Sequence, residues 1–220
     1  MKATEAGFLS FLKKSPQFVI PIYQRTYSWT DKECSQLWSD IIRTGSNDSI
    51  SVHFIGSIVY IEAGLSQASH QAPLLVIDGQ QRLTTVMLLL AALATALGET
   101  EPVDGFSARK LRNYYLLNPE ETGERHYKLL LSQTDKTTLT TVVSGEDRPE
   151  GHSIRVMQNF ALFEELLAGY KGDYTVVCKG LAKLVVVDIA HPCRMQGPLS
   201  LRKGLLRPRR HGEPDQGVSA

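Results

Sequence analysis

Residues 78–82, Asp-Gly-Gln-Gln-Arg, place four long or charged polar side chains between the apolar run 74–77 and the apolar stretch 83–97. We call these five residues the 78–82 motif. The guanidinium of Arg82 can bind a phosphate or carboxylate by donating two parallel N–H···O hydrogen bonds. Charged groups set between two apolar segments indicate a chemical role. The pattern therefore predicts a site for a phosphate or another anion.

The elements around the motif support the same interpretation. The apolar run 74–77, ending in Asp-Gly, predicts a buried strand and a turn, and the stretch 83–97 predicts a buried helix. The first N–H groups of a helix lack intrahelical partners and carry partial positive charge, so this junction suits an anion. The alternative is that Asp78 caps the helix, Gly79 makes the turn and the Gln and Arg side chains are solvated. A cap, however, needs only one of the four side chains.

Composition sets wide bounds on the protein. With 220 residues, 42% hydrophobic and 21% charged, the chain can bury the core of one domain or of one domain with an appendage. A net charge of +1 gives no overall attraction to nucleic acid or membrane.

Neither a signal peptide nor an unbroken apolar span is present, so we expect a cytoplasmic protein. The three cysteines, Cys34, Cys178 and Cys193, form no C-x-x-C pair, which argues against a disulfide framework or a zinc knuckle.

Periodicity predicts an α/β or α+β fold with a small mixed sheet and a helical second half. Thr30 and Glu33 have the spacing of a capping box, Pro21 makes its strand short or an edge strand, and Gly56 marks a bulge or a close backbone approach. Expected helices span 3–14, 31–45, 107–117, 134–143, 154–170 and 174–183. Expected strands span 18–22, 52–61, 74–77, 126–131 and 184–188, and the strand 52–61 is expected to pair with 74–77.

Three segments are expected along the chain. Residues 1–100 form the core that carries the motif, and residues 101–190 form an incomplete helical extension. Residues 191–220 combine prolines, glycines and arginine clusters without a periodic apolar face, so we expect a disordered tail. An out-of-frame terminus is our preferred explanation of this abrupt change, and a basic tail that binds nucleic acid is the alternative.

Three successive segments carry a resemblance to a known family. They are residues 20–29 (Ile-Pro-Ile-Tyr-Gln-Arg-Thr-Tyr-Ser-Trp), 53–59 (His-Phe-Ile-Gly-Ser-Ile-Val) and 76–85, which contains the motif. Their order and spacing resemble those of the GmrSD-type family, which occurs in type IV, modification-dependent restriction enzymes and related anti-phage systems. The resemblance is specific over residues 15–95 and looser to about residue 190. It implies a ParB/sulfiredoxin-like fold.

The resemblance also implies an activity. In the family, the 78–82 motif is needed for NTP hydrolysis, and members couple that step to recognition or cleavage of modified or foreign DNA. By matching position, Tyr23, Gln24 and Arg25 would face the same pocket as the motif. Many members end in an HNH-type nuclease domain, which we do not expect within these 220 residues. We therefore expect an NTP-hydrolysing regulatory domain in a truncated fragment.

Hydrolysis of a triphosphate needs cations on the phosphates and a metal held by hard oxygen. Arg82, with Arg25, would neutralise the developing phosphate charge. Asp78 is a candidate magnesium ligand, directly or through water, although capping the helix remains its alternative role. The chain contains no Walker-type phosphate loop, so this site would differ from that of the P-loop enzymes.

The remaining candidates lie beside these charges. Gln80 or Gln81 could orient the attacking water or read the base, and the sequence does not distinguish the two. Thr84 and Thr85, in the first helical turn, could add hydroxyl contacts, and Gly79 would bring the backbone close to the nucleotide. Two other functions stay open: a ParB-like DNA-binding or nuclease module without NTP turnover, and an inactive truncated product.

Overall fold

A computed structural model describes residues 2–62, 72–147 and 149–191. Six strands within these ranges form one sheet: β1 (Lys2–Gly7), β2 (Phe18–Val19), β3 (His53–Glu62), β4 (Leu74–Asp78), β5 (Leu129–Leu130) and β6 (Leu184–His191). Seven α-helices of the described residues accompany it: α1 (Phe8–Lys14), α2 (Asp31–Gly45), α3 (Gln80–Leu97), α4 (Ala108–Leu111), α5 (Gln133–Ser144), α6 (Ile154–Ala168) and α7 (Tyr174–Ala182). A π-helical turn follows α4 at Arg112–Leu116, and a 3₁₀ turn spans Gly123–His126.

The sheet is mixed and confirms the predicted α/β class. Its strand order is β1-β6-β3-β4-β2-β5. β1 runs antiparallel to β6, β6 parallel to β3, and β3 antiparallel to β4, while β2 runs parallel to both β4 and β5. The expected pairing of the strand 52–61 with 74–77 is therefore confirmed as the β3–β4 pair.

Strands from both halves of the chain lie in this one sheet. β6, close to the C-terminal end of the described residues, lies between β1 and β3, and β5 closes the opposite edge next to β2. One hydrophobic core joins residues of every helix from α1 to α7. The segments 1–100 and 101–190 therefore share a sheet and a core. Of the expected tail 191–220, all but His191 lies outside the described residues.

α3 is the central helix of the core. It is long and apolar enough to cross a membrane by length and composition, but 83% of it is buried within the fold. Such burial is typical of a core helix that has no polar face to present to solvent. A helix buried in this way fixes its own N-terminus, and hence the 78–82 motif, against the sheet.

Local signals predicted most elements correctly. Thr30 and Glu33 form the expected capping box at the start of α2. The strand before Pro21 is short, as predicted, although it covers only Phe18–Val19 of the expected 18–22. The register between β3 and β6 shifts between Phe54 and Ser57, which confirms the irregularity predicted at Gly56. The helix expected at 134–143 is present as α5.

Two secondary-structure predictions were wrong in part. Only Phe8–Lys14 of the expected helix 3–14 is helical, because Lys2–Gly7 pairs along its whole length with β6. Long-range pairing with a strand about 180 residues away has overridden a weak local preference. The strand expected at 126–131 is reduced to Leu129–Leu130, since the 3₁₀ turn extends through His126.

Candidate functional site

The turn between β4 and α3 is fixed by Gly79. This residue is the N-cap of α3 with φ +93°, in the left-handed region that favours glycine. A Cβ atom at this position would lie 2.7 Å from the carbonyl oxygen of Ser57 in the neighbouring strand. No side chain of the described residues caps α3. The proposed capping role of Asp78 is therefore not observed, and no side chain in the described ranges caps the N–H groups of the first turn.

A cavity of about 130 Å³ opens at this junction. It is lined by the whole 78–82 motif and by three residues of the loop between β2 and α2: Gln24, Arg25, Trp29, Asp78, Gly79, Gln80, Gln81 and Arg82. Folding thus brings two of the three sequence signatures onto one cavity. The second signature, residues 53–59, forms the adjoining part of β3.

Two of the three charged side chains in the cavity lining, Arg25 and Asp78, are unpaired among the described residues. Both of these residues are exposed. Arg82 is half-buried and donates one hydrogen bond, from Nη1 to the carbonyl oxygen of Ser57 at 3.0 Å. Two guanidinium groups and one carboxylate give the cavity a net positive charge, which favours an anion.

Gln80 and Gln81 hold the loop that carries Arg25. The amide of Gln80 donates to the carbonyl oxygen of Arg25 at 2.9 Å. Gln81 Oε1 accepts hydrogen bonds from the N–H groups of Ser28 at 2.8 Å and Trp29 at 3.2 Å, while its amide donates to Thr26 O. Both side chains are buried and have their hydrogen bonds directed to the backbone. Their observed contacts are therefore with the protein, and the catalytic role remains a prediction.

A buried chain of hydrogen bonds supports the same loop from the second half of the protein. The amide of Asn159 on α6 donates to Tyr27 Oη at 2.9 Å and to the carbonyl oxygen of Trp29 at 2.8 Å. Thr85 donates to Gln81 O, so the hydroxyl of Tyr27 must donate to Thr85, 2.6 Å away. Burial raises the pKa of Tyr27, which keeps this hydroxyl protonated and able to donate.

The other predicted site residues lie outside the cavity lining. Tyr23 is 72% exposed and projects from the loop, although it neighbours Gln24 and Arg25. Thr84 and Thr85 are almost fully buried, at 1% and 0% exposed. The hydroxyl of Thr85 is used within the fold as described above. The first helical turn therefore presents its backbone and motif side chains, rather than threonine hydroxyls, to the cavity.

Sequence reasoning missed two residues that position the loop. Asp135 on α5 accepts a 2.6 Å hydrogen bond from the N–H group of Tyr27, and Asn159 binds the residues that follow. Asn159 could have been found, because it lies at helical spacing among the buried apolar residues Val156 and Phe163 of α6. Asp135 gave no comparable signal, since an acidic residue in the first turn of a helix is ordinary.

The chemistry of the lining fits a magnesium ion that arrives with a phosphate ligand. Asp78 is the one carboxylate of the cavity, and no group of three or more His, Cys, Asp or Glu side chains able to hold a metal occurs within the described ranges. Mg²⁺ commonly keeps several waters and is bound through one or two carboxylates together with substrate phosphates. A single exposed Asp78 therefore suits that mode rather than a metal site built from protein ligands alone.

Comparison with known protein families matches residues 8–185 to a family described as "GmrSD restriction endonuclease, N-terminal domain". The matched range contains all three signatures, the whole cavity lining, and the positioning residues Asp135 and Asn159. No curated protein matches the chain significantly.

Proposed function

The chain belongs to the family of GmrSD restriction endonuclease N-terminal domains, and from this premise we propose that its cavity binds and hydrolyses a nucleoside triphosphate. Membership makes the chain a module of a restriction system and implicates DNA. Within such a system, acting in the cytoplasm against foreign or modified DNA, the domain would be the regulatory NTPase. The observation that carries the proposal is the cavity itself, in which two arginines and one unpaired carboxylate surround an uncapped helix N-terminus.

The size of the cavity supports binding of the phosphate end of a nucleotide. Pockets that enclose a whole small molecule measure about 300–1,000 Å³. This cavity, at about 130 Å³, is smaller. It has room for a phosphate group against the first turn of α3, where backbone N–H groups favour negative charge. The sugar and base would then extend beyond it.

Each charged residue has a specific task in this proposal. Arg82, positioned by its bond to Ser57 O, and Arg25, on the loop, stabilise negative charge on the transferred phosphoryl oxygens. Asp78 would hold the magnesium ion, which when bound neutralises phosphate charge. Gln80 and Gln81 keep Arg25 and Trp29 at the rim of the cavity through their backbone hydrogen bonds.

Phosphate release from the four ribonucleoside triphosphates, measured with magnesium, tests the proposal. We expect Asp78→Asn and Arg82→Ala to lower turnover by about a hundredfold or more, the order found for loss of one transition-state contact. Arg109→Ala is the matched control, because Arg109 is exposed on α4 and has no ion pair with a described residue. Turnover equal to that of the wild type in both site variants would refute hydrolysis at this cavity.

A second function, direct DNA contact, is favoured by one feature of the loop. Ile22 and Tyr23 are 74% and 72% exposed and lie three and two positions before Arg25. Exposed aromatic rings stack on bases, and arginine neutralises DNA phosphates. As an alternative to the contact of Arg25 with the nucleotide, we propose that this exposed tip of the loop contacts the DNA recognised by the restriction system.

Fluorescence anisotropy with labelled DNA over a range of salt concentrations tests this contact. Tyr23→Ala should weaken DNA binding about tenfold at every salt concentration, the order of one lost base–aromatic contact. Arg25→Ala should also reduce the salt dependence. Tyr114→Ala is the control, because Tyr114 is an exposed tyrosine of the turn Arg112–Leu116. Equal affinities for Tyr23→Ala and the control would exclude the contact.

A further inference from the structure

A second, larger cavity adjoins the candidate site. It is a groove of about 400 Å³ between the first half of α2 and the start of β3. Trp29 lines both this groove and the 130 Å³ cavity, so the two spaces share this residue as a wall. Among the other lining residues are Gln36 and Asp40 from α2, and His53 and Phe54 from β3.

The groove has the size and surface that suit an aromatic ring. Its volume falls within the range of about 300–1,000 Å³ that holds small organic ligands. Phe54 is 58% exposed, although it is a large apolar side chain, and Trp29 is only partly buried. Exposed aromatic rings that line a groove offer stacking surfaces to a planar ring, because every nucleobase has a π-face.

Polar groups on the α2 wall can read the edge of such a ring. Asp40 Oδ2 lies 3.6 Å from His53 Nε2 and 3.2 Å from the amide of Gln36. Burial alone would raise the pKa of Asp40, but hydrogen bonds from Arg43 and Gln36 outweigh it and hold that pKa below its ordinary value. The carboxylate is therefore ionised at neutral pH and accepts hydrogen bonds, which the ring and amino N–H groups of nucleobases donate.

From these observations we infer that the groove between α2 and β3 binds the nucleobase of the nucleotide whose phosphates lie in the cavity. The inference rests on the proposed function. It assigns to the groove the base of the nucleotide, which the smaller cavity cannot hold. Trp29 marks the junction between the phosphate and base subsites. Gln36 and Asp40 meet the edge of the base, while Phe54 packs against its face.

Calorimetric titration of the 220-residue chain separates the two subsites. The ligands are the non-hydrolysable β,γ-imido analogues of the nucleoside triphosphates and inorganic tripolyphosphate, which has no base. Phe54→Ser should weaken binding of the nucleotide analogues about tenfold, the order of one lost base–aromatic contact, and leave tripolyphosphate binding unchanged. Val52→Ser is the matched control, because Val52 is 50% exposed beside the groove and is not part of its lining. Both variants alter exposed side chains, and thermal unfolding verifies that they fold.

The outcomes distinguish the groove from the phosphate site. If tripolyphosphate binds and Phe54→Ser binds the nucleotide analogues as tightly as Val52→Ser does, the base subsite is wrong while phosphate binding stands. If Phe54→Ser instead loses affinity for single-stranded DNA and not for the analogues, the groove holds a DNA base and the inference is overturned. If the wild type binds neither the analogues nor tripolyphosphate, the proposed function fails and the inference fails with it.

Discussion

Gly56 on β3 and Arg82 on α3 are in direct contact. A Cβ atom at position 56 would lie 2.6 Å from Arg82 Cζ, and Gly56 has φ +110°, which L side chains rarely adopt. Because Gly56 has no side chain, the guanidinium of Arg82 can lie against the strand at this point. There it donates a hydrogen bond to Ser57 O. The second and third family signatures therefore meet in one pair of residues.

We predict that Gly56→Ala displaces the guanidinium of Arg82 and lowers phosphate release at least about tenfold, with a loss of stability of about 1–3 kcal/mol from backbone strain and overpacking. Phosphate release and thermal unfolding measure the two effects. Gly105→Ala is the matched control, because Gly105 has φ +90° but nothing lies within 4 Å of a Cβ there. Equal turnover in the two variants would show that the Gly56–Arg82 contact does not position the arginine.

Gln81 should prove essential to the order of the loop. Gln81→Leu removes the acceptor of the Ser28 and Trp29 N–H groups, and we expect a loss of about 1–3 kcal/mol because these donors are left unsatisfied. Hydrogen exchange of residues 23–30 should quicken in the folded protein. Gln158→Leu, an exposed glutamine of α6 without a hydrogen bond to a described residue, should change neither quantity. Unchanged exchange in Gln81→Leu would contradict this role.

Asn159 should couple the helical second half to the site. Asn159→Leu leaves the carbonyl oxygen of Trp29 without its donor and is expected to cost about 1–3 kcal/mol of unfolding free energy, with reduced turnover. The double-mutant cycle with Tyr27→Phe measures the coupling. Because both side chains belong to one hydrogen-bonded chain, the two losses should be less than additive. Strict additivity would mean that Asn159 and Tyr27 act independently.

The two described cysteines should resist alkylation in the folded protein. Burial raises the pKa of Cys34 to about 11 and that of Cys178 to about 12, and the thiolate is the reactive form. Iodoacetamide at pH 8 followed by peptide mass spectrometry should find both residues unmodified, and both modified when urea is present. Labelling of Cys34 without denaturant would show that the packing of α2 against the loop opens readily.

The same thiols should make the fold less stable at high pH. In the unfolded chain they lose their protons near pH 9, whereas in the fold they keep them to about pH 11 for Cys34. The folded state then binds more protons than the unfolded state, so the free energy of unfolding falls as pH rises through this window. Chemical denaturation at pH 8 and pH 10 measures the decline, and Cys34→Ala should lessen it. An equal decline in that variant would assign the effect to other groups.

Structural features that depend on residues close together in the chain were predictable from the sequence. The capping box of α2, the strand-to-helix junction at Gly79 and the apolar length of α3 follow from propensity, turn chemistry and hydrophobic pattern. These determine each element through neighbours within a few positions. The resemblance of three short segments likewise identified the family, which the match over residues 8–185 confirms.

The residues that contact and surround the 78–82 motif follow from long-range packing. The strand at Lys2–Gly7, the contact of Gly56 with Arg82, and the hydrogen bonds from Asp135 and Asn159 all join residues 26 or more positions apart in the sequence. Such contacts form only when the core brings distant elements together, and no local pattern records their partners. Local sequence is enough to identify the chemical groups at the start of α3. The packing of β3, α5 and α6 decided which of those groups support the loop and which remain free for a ligand.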